Sequence, residues 1–410
     1  MKTFDIILFG ATSFVGQIMT KYMLNQFPLD DEKLRWAIAG RSESKLLELK
    51  TSLGEKANGL EIIVADAANQ QEMDSLCGQT NVVVSTVGPY ALYGEALVKA
   101  CVTSGTDYCD LTGEPQWIVK MLKRYEKIAQ ATGARIVHSC GFDSIPSDLG
   151  VFYTQQQAEK QLGSKCSSIF MRVKAAKGAA SGGTIASMMN LVKEATTDKN
   201  LRRLLANPYA LCPQEHGFTQ RQENLKTAKF DEPSQSWVAP FIMAAINTRI
   251  VHRSNSMQDN AYGKDFIYDE AMMMGKGAKG SAVATGLSLG LGGFMVAAAL
   301  PPTRWLMEKT ILPKPGEGPS PKEQLDGYYD LRFFGQTAAG ETIQCKVTGD
   351  QDPGYGSTAK MLAQAAACLA KDVDSEQIKG GFWTPASAMG QKLLERLEAD
   401  AGLTFSVVDD

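Results

Sequence analysis

The chain has 410 residues, of which 44 % are hydrophobic and 21 % charged, with a formal net charge of −3. A chain of that length buries a large core as two domains, or as one with a substantial insertion, and it lacks the basic excess that nucleic-acid binding needs. Its eight cysteines form no C-x-x-C pair and its three histidines no zinc spacing, so no metal site is expected and the thiols are expected to be reduced.

The first element is an apolar β-type run, Ile6 to Phe9, ending on Gly10, with Gly16 six residues later. Val15, Ile18, Met19, Tyr22 and Met23 then follow helical spacing. Strand, glycine turn and helix form the phosphate-binding corner of a dinucleotide fold, where unpaired amides and the positive helix end meet a pyrophosphate. Cofactor contacts are therefore expected from Gly10, Ala11, Thr12, Ser13, Phe14, Val15 and Gly16. The second strand, Leu34 to Ala39, ends in Gly40-Arg41-Ser42. A carboxylate at this point bonds both ribose hydroxyls and repels a 2′-phosphate, whereas arginine favours the phosphate. Arg41, aided by the Ser42 hydroxyl, predicts NADP(H) as cofactor.

A third strand, Ile62 to Ala65, ends at Asp66, a position near the adenine. The fourth, Asn81 to Val87, has the near-continuous valine run of a buried parallel strand and stops at Gly88-Pro89-Tyr90, where Gly88 and Pro89 let the backbone pass the nicotinamide ribose. A helix from Gly94, a strand Asp107 to Leu111, a helix Trp117 to Thr132 and a strand Ala134 to His138 complete the alternation. The fold class is α/β: residues 1–145 form a Rossmann-type doubly wound parallel sheet, followed by a second α/β (α+β) domain over 146–385. Residues 386–410, a helix and a strand, are expected to pack back on the first domain. Within the second domain a strand (Ile169 to Ala175) and a helix from Gly182 are expected, then loops and short helices over 198–265. A proline-rich linker (Leu312 to Pro321) precedes the strand pair Tyr328 to Gln336 and Glu341 to Thr348 and a helix from Ser357.

One segment stands apart. Residues 280–303 carry no charge and are just long enough to cross a bilayer, yet they hold several glycines and a Pro-Pro pair. A buried Gly/Ala-rich helix or hairpin is the first expectation, monotopic membrane contact or a lipid-facing surface the second, and a true span the third.

Several stretches together resemble the saccharopine dehydrogenase-like oxidoreductase family, in the bacterial branch that includes trans-acting enoyl reductases. They are GATSFVG, AGRS, VVSTVGPYALYGEALVKAC, TDYCDLTGE, GFDSIPSDLG and GDQDPGYGSTAKM, spread over nearly the whole chain. The resemblance implies an NADP-binding Rossmann domain, a second α/β domain, membrane- or lipid-associated relatives and, for some members, glycolipid formation. Relatives commonly read G-A-[ST]-G-x-x-G, whereas Ser13 stands here at the middle glycine.

Ligands of open α/β sheets lie beyond the carboxyl ends of the strands. Candidate chemistry is therefore sought in Tyr90 and Tyr93 after strand four, in Asp110, Thr112 and Glu114 after strand five, and in Cys140 to Ser144 and Asp148 after strand six. Tyr90 and Asp143 are the catalytic candidates, as proton donors to a reduced substrate, with helix capping the competing role for Asp143. Cys140 reads as a core residue, since no histidine pairs with it as a base. No tyrosine has lysine four residues on, which excludes the short-chain dehydrogenase mechanism. The expected function is NADPH-dependent reduction of an activated C=C or C=O in a lipid- or polyketide-type acyl substrate. A non-catalytic NADP(H) sensor on a lipid surface and a saccharopine-type amino-acid dehydrogenase are the alternatives. A cytoplasmic protein, peripheral at the inner face of the plasma membrane or homodimeric, fits these expectations.

Overall fold

A computed structural model describes residues 2–31, 33–178, 182–310 and 318–408. Much of the expected proline-rich linker lies outside them. The described strands are β1 (Phe4–Phe9), β2 (Trp36–Gly40), β3 (Glu61–Val64), β4 (Thr80–Ser85), β5 (Asp107–Asp110), β6 (Arg135–Val137), β7 (Cys166–Lys177), β8 (Lys229–Asp231), β9 (Ser236–Pro240), β10 (Ile267–Gly275), β11 (Tyr328–Thr337), β12 (Thr342–Gly349), β13 (Gly381–Trp383) and β14 (Leu403–Val407). The helices are α1 (Phe14–Gln26), α2 (Glu43–Ser52), α3 (Gln70–Gly78), α4 (Tyr90–Tyr93), α5 (Glu95–Ser104), α6 (Pro115–Thr132), α7 (Ile145–Leu162), α8 (Gly182–Thr197), α9 (Lys199–Ala206), α10 (Ala244–Met257), α11 (Gly277–Ala299), α12 (Pro301–Thr310), α13 (Pro321–Leu325), α14 (Gly356–Lys371), α15 (Pro385–Ala388) and α16 (Gly390–Asp400).

The chain divides into two compact units, the first built mainly from Met1–Ile145 and Gly354–Gly402 and the second mainly from Pro146–Pro315, Pro319–Pro353 and Leu403–Asp410. The expected second domain over 146–385 is thus shorter in the structure, because α14 and β13 belong to the first unit. The reason is pairing: β13 adds to β6 in parallel, with Phe382 opposite Ile136. The Ala-rich α14, buried along nearly its whole length, packs on α1, β1, β4 and β5. The terminal residues divide as well, α16 going to the first unit and β14 pairing with β12 in the second.

The first unit holds an all-parallel sheet of order β13-β6-β5-β4-β1-β2-β3. Both faces of its centre are covered, so Ile6, Ile7, Leu8, Val82, Val83 and Val84 are fully buried, as a parallel sheet requires. Gly105 and Gly133 adopt left-handed backbone and close α5 and α6. The strand order reverses between β1 and β4, which makes their carboxyl ends the switch point where open α/β sheets bind ligands.

The second unit holds a mixed sheet of order β14-β12-β11-β7-β10-β9-β8, in which β7 and β10 run parallel and the other pairs antiparallel. The β11–β12 hairpin keeps Leu331 opposite Val347 and Phe333 opposite Cys345, with alternate residues buried. Between β7, β8 and β10, the buried Arg172 guanidinium donates to Asp231 Oδ1 at 2.7 Å and to Asp269 Oδ1 at 2.5 Å.

Two expectations fail here. Residues 244–257 form a regular helix, α10, where loops and short helices were expected. This helix buries Asn247, Arg249, His252, Arg253, Ser254 and Asn255, so it shows no polar–apolar periodicity. The charge-free segment is helical as α11, but it is not core: only 11 % of its apolar window is buried. It packs on β9, β10, α8 and α12 through small residues, with Gly280, Ala284 and Ala298 the buried ones.

Candidate functional site

The carboxyl ends of β1 and β4 build the corner around Gly10. Gly10 has φ +89°, and a Cβ there would lie 2.6 Å from Val87 Cγ2, so both conformation and space require glycine. Gly16, in the first turn of α1, approaches Gly10 so closely that a Cβ would sit 2.3 Å from the Gly10 carbonyl oxygen. Ser13 is the N-cap of α1: its Oγ accepts from the Gly16 amide at 2.9 Å and donates to Thr86 Oγ1 at 2.9 Å. Thr86 Oγ1 in turn donates to the Gly10 carbonyl at 2.8 Å. The departure from glycine at position 13 thus fastens the turn to β4, and the serine proton is directed at Thr86 rather than outward. Among the described residues, the amides of Thr12, Phe14 and Val15 have no protein acceptor, and residues 12–15 are partly exposed. Free amides at a helix N-terminus over a glycine cradle form the anion site that a pyrophosphate needs. The corner fits a dinucleotide.

At the end of β2, Arg41 is exposed and enters no hydrogen bond or ion pair among the described residues. Ser42 caps α2, its Oγ accepting from the Lys45 amide at 3.4 Å. After β3, Asp66 Oδ1 accepts from the Ala68 amide at 2.9 Å and shapes the turn into α3. Sequence places these three side chains correctly at strand ends. The structure adds that Ser42 and Asp66 already have local partners, while the Arg41 fork is open.

The β4, β5 and β6 ends hold a network of buried carboxylates. Gly88 is exposed and Pro89 half-buried, and the Gly88–Pro89 peptide is cis. Directly after it, Glu114 Oε1 accepts from the Tyr90 amide at 2.8 Å and Oε2 from the Ala91 amide at 3.0 Å, which holds the start of α4. The expectation of a free tyrosine hydroxyl after the fourth strand gives way to a fastening. Tyr90 is 4 % exposed, and its hydroxyl donates to the Ser85 carbonyl at 2.9 Å and accepts from the Leu111 amide at 3.3 Å. Burial, and then the Asp110 charge, raise its pKa well above the usual value, so it keeps its proton. Tyr93, by contrast, is exposed.

Asp110 is fully buried and accepts from the Thr112 and Ser139 amides through Oδ1, while Oδ2 meets His138 Nδ1 at 2.7 Å. His138 sits among the rings of Trp117, Phe382 and Tyr108, and its Nε2 has no partner among the described residues. This histidine–carboxylate pair was missed in the sequence because its members lie 28 residues apart; only the parallel neighbourhood of β5 and β6 joins them. Cys140 is buried, as expected of a core residue.

Asp143 follows β6 in the same cluster. It is half-buried, and desolvation pushes its carboxyl up from 3.8 to about 7, with the Asp110 charge adding to the rise. Its neighbourhood in the first unit includes Gly141, where a Cβ would lie 3.0 Å from Asp143 Oδ2, and Thr358, whose Oγ1 accepts from the Phe142 amide at 3.0 Å. Asp148 belongs to the second unit, where it accepts from Ser254 Oγ at 2.5 Å. Also in that unit, Glu270 accepts from Tyr268 Oη at 2.7 Å and Asn247 Nδ2 at 2.9 Å, and burial raises it to about 7. The sequence around Glu270 does not signal this cluster, since Asn247 comes from α10 and only Tyr268 is a neighbour on the same strand.

Comparison with known proteins agrees with the corner. The saccharopine dehydrogenase NADP binding domain matches residues 6–137. A Mycobacterium tuberculosis protein provisionally named a trans-acting enoyl reductase is 40 % identical over 98 % of this chain and 97 % of its own. A trans-acting enoyl reductase of Mycobacterium bovis is 36 % identical over 97 % of this chain and 96 % of its own. Among solved structures, apo saccharopine dehydrogenase (L-Glu forming) from Saccharomyces cerevisiae superposes with a TM-score of 0.56 at 14 % identity, covering 99 % of this chain and 100 % of that chain, a likeness of fold alone.

Proposed function

This chain belongs to the saccharopine dehydrogenase-like oxidoreductases, in the branch of the trans-acting enoyl reductases, and on that premise we propose that it reduces the activated carbon–carbon double bond of an enoyl substrate of lipid or polyketide type. The observation that carries the reading is full-length likeness to enoyl reductases, at 36–40 % identity, in a chain whose glycine corner fits NADP(H). Bound NADPH supplies the hydride in such a reaction.

The chain's own residues hold and select. The Thr12, Phe14 and Val15 amides receive the pyrophosphate, and the open Arg41 fork takes the 2′-phosphate. Gly88 and Pro89 keep the strand-four end low enough for the backbone to pass the ribose. Asp143, held near neutrality, delivers the proton to the α-carbon as the substrate's β-carbon is reduced. Tyr90, fastened to Ser85, positions the turn and transfers no proton.

The test is NADPH oxidation at 340 nm with an enoyl thioester panel, followed by mass analysis for a product two hydrogens heavier. Tight NADPH binding without turnover on enoyl or carbonyl substrates favours the cofactor-sensing alternative and refutes the reductase.

A further inference from the structure

The longest described helix of the second unit, α11, packs on β9, β10, α8 and α12 yet leaves most of its apolar surface exposed. The 23 residues of α11 have a mean hydropathy of 1.7 over the apolar window. At about 1.5 Å per residue they extend roughly 34 Å. Val283 is 47 % exposed, Leu289 72 %, Val296 62 %, and beyond the helix end Leu300 52 %, Trp305 56 % and Leu306 52 %. At about 100° per residue, Val283, Met295, Val296 and Leu289 spread over roughly 240° of the circumference. A single flat partner face covers one side of a helix. Here the remaining side of α11 packs on β9, β10, α8 and α12, and lipid covers the whole of the wide exposed arc.

The charges agree. No acidic residue occurs from 277 to 307, while Lys276 and Lys279 stand at one end of the segment and Arg304 and Lys309 at the other. None of the four is in an ion pair among the described residues, and Lys309 Nζ lies 4.1 Å from the exposed Trp305 ring centroid. The chain leaves the sheet from β10 and rejoins it at β11, so a crossing would need a second spanning element to return, and α12, at 10 residues, is too short for one. Basic residues at both ends and an aromatic–basic pair suit headgroup contact at the ends of a monotopic element whose exposed apolar arc enters the acyl region between them. We propose that α11 and the start of α12 dock this protein monotopically on an anionic phospholipid surface. The docking does not depend on the reductase reading, because it involves none of the site residues.

The experiment is flotation of the purified full-length protein with phosphatidylcholine vesicles, with and without phosphatidylglycerol. The protein floats with the anionic vesicles, on the order of tenfold more than with neutral ones at low salt, and high salt narrows that difference. Leu289→Glu with Val296→Glu, both at exposed positions, lowers partitioning on the order of a hundredfold while NADPH affinity and melting temperature stay at wild-type values. Arg304→Ala with Lys309→Ala lowers anionic-vesicle binding on the order of tenfold. Failure of the wild-type protein to float overturns the proposal, as does a double-glutamate variant that floats normally. A non-floating wild-type dimer that light scattering shows dissociated by the double-glutamate change also overturns it, and assigns the surface to a second copy. NADPH turnover is measured separately, so loss of one property does not imply loss of the other.

Discussion

Gly16→Ala should disable the cofactor corner without touching any group that contacts a substrate. The new Cβ would lie 2.3 Å from the Gly10 carbonyl oxygen and 2.9 Å from Ala11 C and Cα, all of them backbone atoms that no rotamer change can move. Relieving that overlap demands that α1 slide away from the β1 turn by somewhat under 1 Å, a repacking that costs about 1–3 kcal/mol. The same slide withdraws the Phe14 and Val15 amides from the phosphate. A charge-assisted hydrogen bond contributes about 1.5–3 kcal/mol, so losing one weakens NADPH binding roughly ten- to a hundredfold. Gly78 supplies the control: it ends α3, and nothing lies within 4 Å of the place a Cβ would occupy there, so Gly78→Ala should leave affinity unchanged and stability level or slightly higher. Fluorescence titration with NADPH and thermal unfolding measure both. Gly16→Ala protein that binds NADPH within threefold of wild type (about 0.7 kcal/mol) would refute the close-approach argument.

Arg41→Ala should raise the Kd for NADPH roughly ten- to a hundredfold and leave NADH nearly unchanged; equal weakening of both would show that Arg41 does not read the 2′-phosphate. Glu114→Ala strips the acceptors from two amides, one of them buried, and should destabilise by about 2–4 kcal/mol. Glu114→Gln keeps one acceptor but turns an NH₂ toward the other amide, so it should fall between wild type and alanine in denaturant titrations. Asp143 rises from 3.8 to about 7, so the folded state holds a proton that the unfolded chain has lost between those values. Its contribution to stability therefore falls as pH rises through that window and stays at its lowest above about 7. Turnover should decline above the same pH as the donor ionises, and Asp143→Asn should lower kcat about 10²- to 10⁴-fold and flatten both profiles. An Asp143→Asn enzyme with wild-type kcat would remove Asp143 from the chemistry.

Local chemistry made most of the first unit legible. An apolar run that must be covered on both faces, a glycine with no room for Cβ and an arginine after the next strand are each visible within a few residues, and Gly10, Gly16 and Arg41 lie where that reading puts them. The hairpin of β11 and β12 was equally visible, because alternation with period two needs only one strand's own residues. Polar residues buried against other polar residues left no such trace. The α10 helix hides Asn247, Arg249 and His252 among partners far away in the chain, and the His138–Asp110 pair spans two strands.

By itself, then, the sequence determined the parallel sheet, its phosphate-binding turn and the cofactor, since each depends on residue size, charge and backbone freedom at neighbouring positions. Only the tertiary structure decided that β13 and α14 rejoin the first sheet, that the Tyr90 hydroxyl is tied to Ser85, that burial lifts Asp143 to about 7, and that α11 leaves its apolar side chains uncovered. Those outcomes depend on desolvation and on which distant segments fill the space around a group, and a one-dimensional pattern carries neither.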